Sequence, residues 1–297
     1  MCGVVGLFLK NSMLSGDLGA MTADMLAVLT DRGPDSAGIA IYDPAKAGKV
    51  KLTVRAEAGA DWDALAARLA EAIGAKVKVA PRDTHAVLKL AEDAADDAVH
   101  ALATIAPEVT LMSRGEAMEI YKEVGLPADV TARFGIAGMS GTHAIGHTRM
   151  ATESAVTTMG AHPFSTGADQ CLIHNGSLSN HNNLRRVLKR EGIAFGSEND
   201  TEVAAAYLTH KMAGGLGLGE ALDAGIRDLD GFYTFVVATK TGFGVLRDPI
   251  ACKPAVLAET DDYVAIGSEY RAMVMLPGID TARVWEPEPA TSYFWTH

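Results

Sequence analysis

A cysteine stands second in the chain, directly behind the initiator methionine, and its position gives it chemistry that Cys171 and Cys252 lack. Cys2 is small enough for Met1 to be removed ahead of it, which leaves a thiol and a free α-amine on one residue. A thiol titrates at about 8.5 and an α-amine at about 7.7–8.0. The amine is therefore partly unprotonated at neutral pH and can serve as base for its own thiol, directly or through one water. No separate histidine is required. The Met-Cys pair by itself does not separate a nucleophile from a cysteine without a role; the rest of the chain has to do that. Cys171, in Gln170-Cys171-Leu172-Ile173, reads as a small buried strand residue, and Cys252 is read in the same way.

Four further segments carry polar side chains in a fixed order: Arg32-Gly33-Pro34-Asp35-Ser36-Ala37-Gly38, Gly146-His147-Thr148-Arg149-Met150-Ala151-Thr152, His174-Asn175-Gly176-Ser177 and Asn199-Asp200-Thr201-Glu202. Behind an N-terminal Met-Cys-Gly, this order resembles the class II glutamine amidotransferases, which are N-terminal-nucleophile hydrolases. The resemblance covers residues 2–43 and about 142–270. It implies an α+β fold, a four-layer αββα sandwich of antiparallel sheets, and hydrolysis of the side-chain amide of L-glutamine through a Cys2 thioester.

Side-chain chemistry agrees with that reading. Free glutamine offers a carboxylate, an ammonium and, about three carbons away, an amide. Arg149 suits the carboxylate as a bidentate partner, and Asp200 suits the ammonium. The Asn175 side-chain amide and the Gly176 N–H can donate to a developing oxyanion, and the resemblance assigns them that role. Each such donor is worth roughly a hundred- to a thousand-fold in rate. The resemblance also places Arg32 near the nucleophile, and Thr152 and His162 along the glutamine pocket. Met150 stands where the family usually carries an aromatic residue, and Glu153-Ser154 replace a small or His-Gly pair, so the pocket mouth departs from the common pattern. His143 and His147 are four apart, but Gly146 and strand-like surroundings argue against a shared helical face, and no third zinc ligand is evident.

These residues need a scaffold, and 297 residues with 48% hydrophobic and 21% charged content supply one of ordinary globular type. The net charge of −11 argues against a nucleic-acid or anionic-membrane partner. No apolar run is long enough to span a membrane. The Val4–Leu9 run lacks the flanks of a signal peptide; with three scattered cysteines, this implies a reducing, cytoplasmic setting. Gly3 to Leu9 reads as a buried first strand, and Leu18, Met21, Met25 and Leu29 recur at helical spacing within Asn11 to Asp31. Residues 32–38 read as a structured loop whose glycines allow tight turns. Asp61 and Gly74 bracket an amphipathic helix, and Asp200 is placed to cap another. Phe232 to Ala238 and Phe243 to Leu246 read as a β-hairpin. The domain is expected to run over 2–297, with an α/β insertion at about 44–140.

The long insertion, the stretch Arg133 to His143 and the run Ser177-Leu178-Ser179-Asn180-His181-Asn182-Asn183 resemble, more narrowly, the separate amidotransferase subunit of N-methylglutamate synthase and related glutamate-synthase-like complexes. That resemblance implies no cofactor in this chain. It implies partner subunits resembling the FMN-containing synthase domain, with FMN and an iron–sulfur centre, and the glycine-rich β-helical domain of glutamate synthase. Three other readings stay open: an N-terminal-cysteine amidase for bile salts or penicillin, a non-catalytic scaffold subunit, and a free-standing glutaminase.

Overall fold

The computed structural model describes residues 2–151 and 155–297. Gly3–Leu9 form strand β1, and all seven residues are buried. Because successive strand side chains point to opposite faces, Val5, Leu7 and Leu9 enter one core while Val4 and Phe8 enter another. A strand buried on both faces needs a layer on each side, and the chain supplies both. Each fully buried Val, Leu or Phe contributes roughly 1.5–3 kcal/mol.

The first sheet runs β15 (Arg283–Trp285), β13 (Val256–Glu259), β14 (Tyr263–Gly267), β1, β8 (His143–Arg149), β2 (Ser36–Tyr42) and β7 (Met118–Val124), with every neighbouring pair antiparallel. The second runs β16 (Thr291–Thr296), β12 (Gly242–Arg247), β11 (Gly231–Ala238), β10 (Gln170–Leu178) and β9 (Phe164–Gly167). Their facing sides share one core, in which Val4, Phe8, Tyr42 and Ile145 meet Ile173, Val236 and Phe243. The outer face of the first sheet packs against helices α1 (Leu18–Val28) and α4 (Pro127–Phe134). That of the second packs against α6 (Asp200–Ala213) and α7 (Leu218–Asp228), with α5 (His181–Arg190) alongside. The result is helix, sheet, sheet, helix: the αββα sandwich expected from the sequence.

A third antiparallel sheet, β4 (Lys78–Arg82), β5 (His85–Ala91), β3 (Lys49–Arg55) and β6 (Thr110–Gly115), carries α2 (Trp62–Ile73) and α3 (Ala95–Ile105) over its own core. The Asp61 carboxylate accepts from Ala64 N at 2.9 Å, and Gly74 closes α2 at φ 63°. Beyond β6 the chain returns to the first sheet, where β7 pairs with β2 along its whole length. Lys51 ties the third sheet to the first through ion pairs with Asp43 and Glu119.

Two local expectations change. The helix expected within Asn11 to Asp31 is shorter, because single 3-10 turns at Ser12–Leu14 and Thr30–Arg32 flank α1. The cap of α6 is Asn199, whose side-chain oxygen accepts from Thr201 N at 2.8 Å. Asp200 is the first helical residue, and its carboxylate accepts from Leu178 N at 2.9 Å. Among the described residues, no helix is long and apolar enough to cross a membrane.

Candidate active site

Strand alternation carries the polar residues to one end of the sandwich. Val4 faces the space between the two sheets, so Cys2, two residues earlier, begins on that side. Ile145 does the same for His147 and Arg149 on β8, as does Ile173 for Asn175 on β10. Gly3 pairs with Thr148, and Ser36 with Arg149. The start of β1, the end of β8 and the start of β2 therefore coincide.

The Cys2 backbone carbonyl is held by two donors. Asn175 Nδ2 lies 3.2 Å from it and Arg32 Nε 3.1 Å. The Cys2 thiol faces the Met150 carbonyl oxygen at 3.8 Å. Asn175 thus reaches the nucleophile candidate directly, with one of its two amide protons committed to the Cys2 carbonyl and one left for another acceptor. Gly176 follows at φ 138°, and a Cβ there would lie 1.9 Å from the Phe232 carbonyl oxygen. Only glycine fits, which keeps the backbone beside Asn175 uncovered by a side chain.

The Arg32–Gly38 segment is not a tight turn. Gly33 is needed for close approach: a Cβ there would lie 2.3 Å from the Thr148 carbonyl carbon. Asp35 N donates to Arg149 O at 3.1 Å, and its carboxylate accepts from Ala151 N at 2.7 Å. These bonds clamp the chain on both sides of Met150. Arg149 is buried to 7% exposure, with Nη1 3.5 Å from the Ala155 carbonyl. Thr152 lies outside the described residues.

A second group lies around Thr201, on the first turn of α6. Its hydroxyl is 2.7 Å from His162 Nε2 and 3.0 Å from His174 Nδ1. His174 Nδ1 is 3.7 Å from the Asp200 carboxylate, and His162 stacks on His147 with ring centroids 4.0 Å apart. Burial holds His147 down at about 3 and His162 well below the ordinary histidine value. It also lowers His174, against the pull of Asp200. All three rings are therefore neutral near pH 7. His147 Nε2 donates to the His174 carbonyl oxygen, 3.0 Å away. The loop before α6 is shaped by Glu202, which accepts from Gly196 N and Ser197 N, and by Arg185, which reaches the Ser197 and Asn199 carbonyls.

The expected residues thus divide. Cys2, Arg32 and Asn175 are in contact, and Arg149 ends the neighbouring strand; His162 and Asp200 meet through Thr201 and His174 rather than directly. His143 sits away from this end, stacked on Tyr42 at 4.3 Å and bonded to the Thr239 carbonyl at 2.9 Å. Among the described residues, no three His, Cys, Asp or Glu side chains gather as a metal ion requires. Sequence reasoning missed Glu269, whose carboxylate lies 2.6 Å from Arg32 Nη1, and Lys122, buried behind His162. Glu269 had one signal, its place just past a strand end; Lys122 had none.

Comparison with known proteins bears on the family and the fold. A glutamine amidotransferase domain model matches residues 135–296. The glutamine amidotransferase-like protein GlxB of Rhizobium meliloti is 64% identical over 298 residues, covering 100% of this chain and 99% of that protein. Two solved structures share the fold over 99% of the chain at 21% identity. They are glutamine phosphoribosylpyrophosphate amidotransferase from B. subtilis, with a TM-score of 0.63, and the allosteric regulatory enzyme of purine biosynthesis, with 0.65. The chain spans 47% of the length of each. The sandwich is accordingly the fold of these two structures.

Proposed function

The chain belongs to the glutamine amidotransferase domain family, and from that premise we propose that Cys2, freed by removal of Met1, hydrolyses the side-chain amide of L-glutamine. The thiol gives its proton to the Cys2 amine and attacks the amide carbon. The developing oxyanion takes hydrogen bonds from Asn175 Nδ2 and Gly176 N–H. The C–N bond then breaks, the amine returns a proton to the leaving nitrogen, and ammonia departs. Water attacks the Cys2 thioester and releases glutamate. Arg149 takes the substrate carboxylate, Asp200 the ammonium, and His162 and Thr152 border the pocket.

The observation that carries this reading is the pair of donors on the Cys2 carbonyl. Asn175 and Arg32 come from separate sequence motifs, yet both end on the residue proposed as nucleophile, at 3.2 and 3.1 Å.

The reading extends to a complex. This chain is the amidotransferase subunit of N-methylglutamate synthase, which forms N-methylglutamate and ammonia from glutamate and methylamine, or of another glutamate-synthase-like assembly, beside an FMN-containing subunit and a glycine-rich β-helical one. The Arg133–His143 and Ser177–Asn183 stretches support it.

The test is covalent trapping. Mass spectrometry of the purified protein should show Met1 absent, and an electrophilic glutamine analogue should modify Cys2 alone. Cys2→Ala should abolish hydrolysis with an unchanged melting temperature. Modification at Cys171 or Cys252, or hydrolysis that survives Cys2→Ala, overturns the mechanism.

A further inference from the structure

Glu269 lies far from the four sequence segments, yet the fold delivers it to the nucleophile. Strand β14 pairs with β1 from Leu9 back to Val5, and the pairing continues one step past the end of β14. Ser268 N donates to the Val4 carbonyl at 3.0 Å, and Val4 N donates to Ser268 Oγ at 3.0 Å. Ser268 is buried and bonded from both its backbone and its hydroxyl. The next residue, Glu269, is therefore fixed beside the start of β1. A 3-10 turn, Tyr270–Met273, begins immediately after it and anchors its backbone, with Ala272 N on the Glu269 carbonyl at 3.1 Å.

From that position Glu269 Oε1 meets Arg32 Nη1 at 2.6 Å, and Arg32 Nε meets the Cys2 carbonyl at 3.1 Å. The Arg32 side chain is 10% exposed, so its charge is largely removed from water, and Nη2 is buried without a hydrogen-bond partner among the described residues. A guanidinium so placed depends on its carboxylate: removing one partner of a buried pair leaves a charge that has to move or find water. The outer oxygen, Oε2, takes Arg271 Nε at 2.5 Å. The hydrogen bond from Arg32, and then Arg271, hold the Glu269 carboxyl below the ordinary carboxylate range.

We infer that Glu269 is a positioning residue for the nucleophile, acting through Arg32 to fix the Cys2 carbonyl and with it the direction of the thiol and amine on the same Cα. The inference rests on the reading of Cys2 as nucleophile. Its physical basis is the sensitivity of covalent catalysis to placement, since a displacement of about 1 Å can cost a hundred-fold in rate. An ordinary exposed ion pair contributes little. The difference here is that the Arg32 side chain is 10% exposed, against 32% for Glu269, and that its second bond falls on the reacting residue. Substrate contacts are not involved, so the effect belongs in turnover and not in glutamine affinity.

The experiment is a double-mutant cycle on the full chain, reading glutamine kcat and KM and the rate at which an electrophilic glutamine analogue modifies Cys2. Glu269→Ala should lower kcat and the modification rate by about ten-fold, with KM within about two-fold of wild type. Glu269→Gln, which keeps the shape and one acceptor oxygen, should fall between and serves if the alanine variant does not fold. Arg32→Ala combined with Glu269→Ala should be no slower than Arg32→Ala alone. Additive losses, a loss confined to KM, or wild-type modification of Cys2 in Glu269→Gln and Glu269→Ala would falsify the inference while leaving the nucleophile in place. Modification at another cysteine instead removes the nucleophile reading itself.

Discussion

The Lys122 amine lies 2.7 Å from the Ala161 carbonyl oxygen and 3.1 Å from that of Pro163, so a side chain from β7 bridges the two carbonyls that flank His162. It also sits 4.4 Å above the Phe164 ring. Burial pushes its titration down from the ordinary lysine value of 10.5 to about 7, against the pull of Glu202 and then Cys171.

The sign of the resulting pH dependence follows directly. Between pH 7 and 10.5 the unfolded chain holds a proton at Lys122 that the folded chain has lost, so stability rises with pH across that window. Below pH 7 both states are protonated, and the cost of burying the charge is present in full. Urea unfolding of wild type and Lys122→Met at pH 7 and 9.5 should show wild type gaining roughly 3 kcal/mol relative to the variant. A gap that does not change with pH shows that the amine stays protonated throughout.

The same sign of pH dependence holds on the acid side. Burial, in each case the largest cause, holds His85, His143 and His147 at about 3. Unfolded histidines bind protons near 6.5, so each of these loses stability as pH falls from 6.5 toward 3, on the order of 2 kcal/mol by pH 5. Replacing His143 by Asn should make the urea midpoint less sensitive to pH between 6.5 and 4. The variant would start from a lower stability, because the Thr239 carbonyl contact is altered. Equal pH slopes in the two proteins contradict the assignment.

Substrate recognition and turnover should separate. Arg149→Lys loses the planar fork and should raise the glutamine KM more than it lowers kcat. Asn175→Ala should chiefly lower kcat, since it removes both a donor to the oxyanion and an anchor of the Cys2 carbonyl. A charge-assisted hydrogen bond is worth about 1.5–3 kcal/mol, or roughly ten- to a hundred-fold. Steady-state kinetics unchanged in both variants would mean that the substrate lies elsewhere.

How much of this was legible depended on whether the signal was local. Asp61 and Gly74 mark the ends of α2 because capping is a matter of a few adjacent residues. The β11–β12 hairpin is closed by its own turn. Cys2, Arg32 and Asn175 were legible as motif members, though not that two of them share the Cys2 carbonyl. Pairings across the chain were illegible: β16 joining β12, or β7 joining β2, rests on contacts that no short window contains. Glu269 and Lys122 were missed for the same reason, each being a single residue placed by the partner of its strand. The choice of Asn199 over Asp200 as cap turned on one residue, which is the ordinary limit of boundary reading.

The last prediction concerns partners, and the structure sharpens where to look. The aromatic run Tyr293-Phe294-Trp295 is of a kind that anchors interfaces or folds back on its own core. Strand β16 does fold back: it pairs with β12, and Tyr293 and Trp295 pack toward the shared core, leaving Phe294 outward at 55% exposure against Gly219. The third sheet offers β4 as a free edge, but Pro81 and Arg82 lie on it, a pattern that discourages strand addition. A partner acting on the site is expected to work through the clamped segment around Met150, itself 36% exposed. Glutamine turnover measured alone and with synthase-like subunits should rise on complex formation. Asp35→Ala, which releases the Ala151 amide, should lower the isolated activity and reduce the partner's stimulation. Trimming residues 49–115 should weaken assembly only if the third sheet takes part in it. Equal turnover in every case, with no complex on size-exclusion chromatography, would establish a hydrolase that acts by itself.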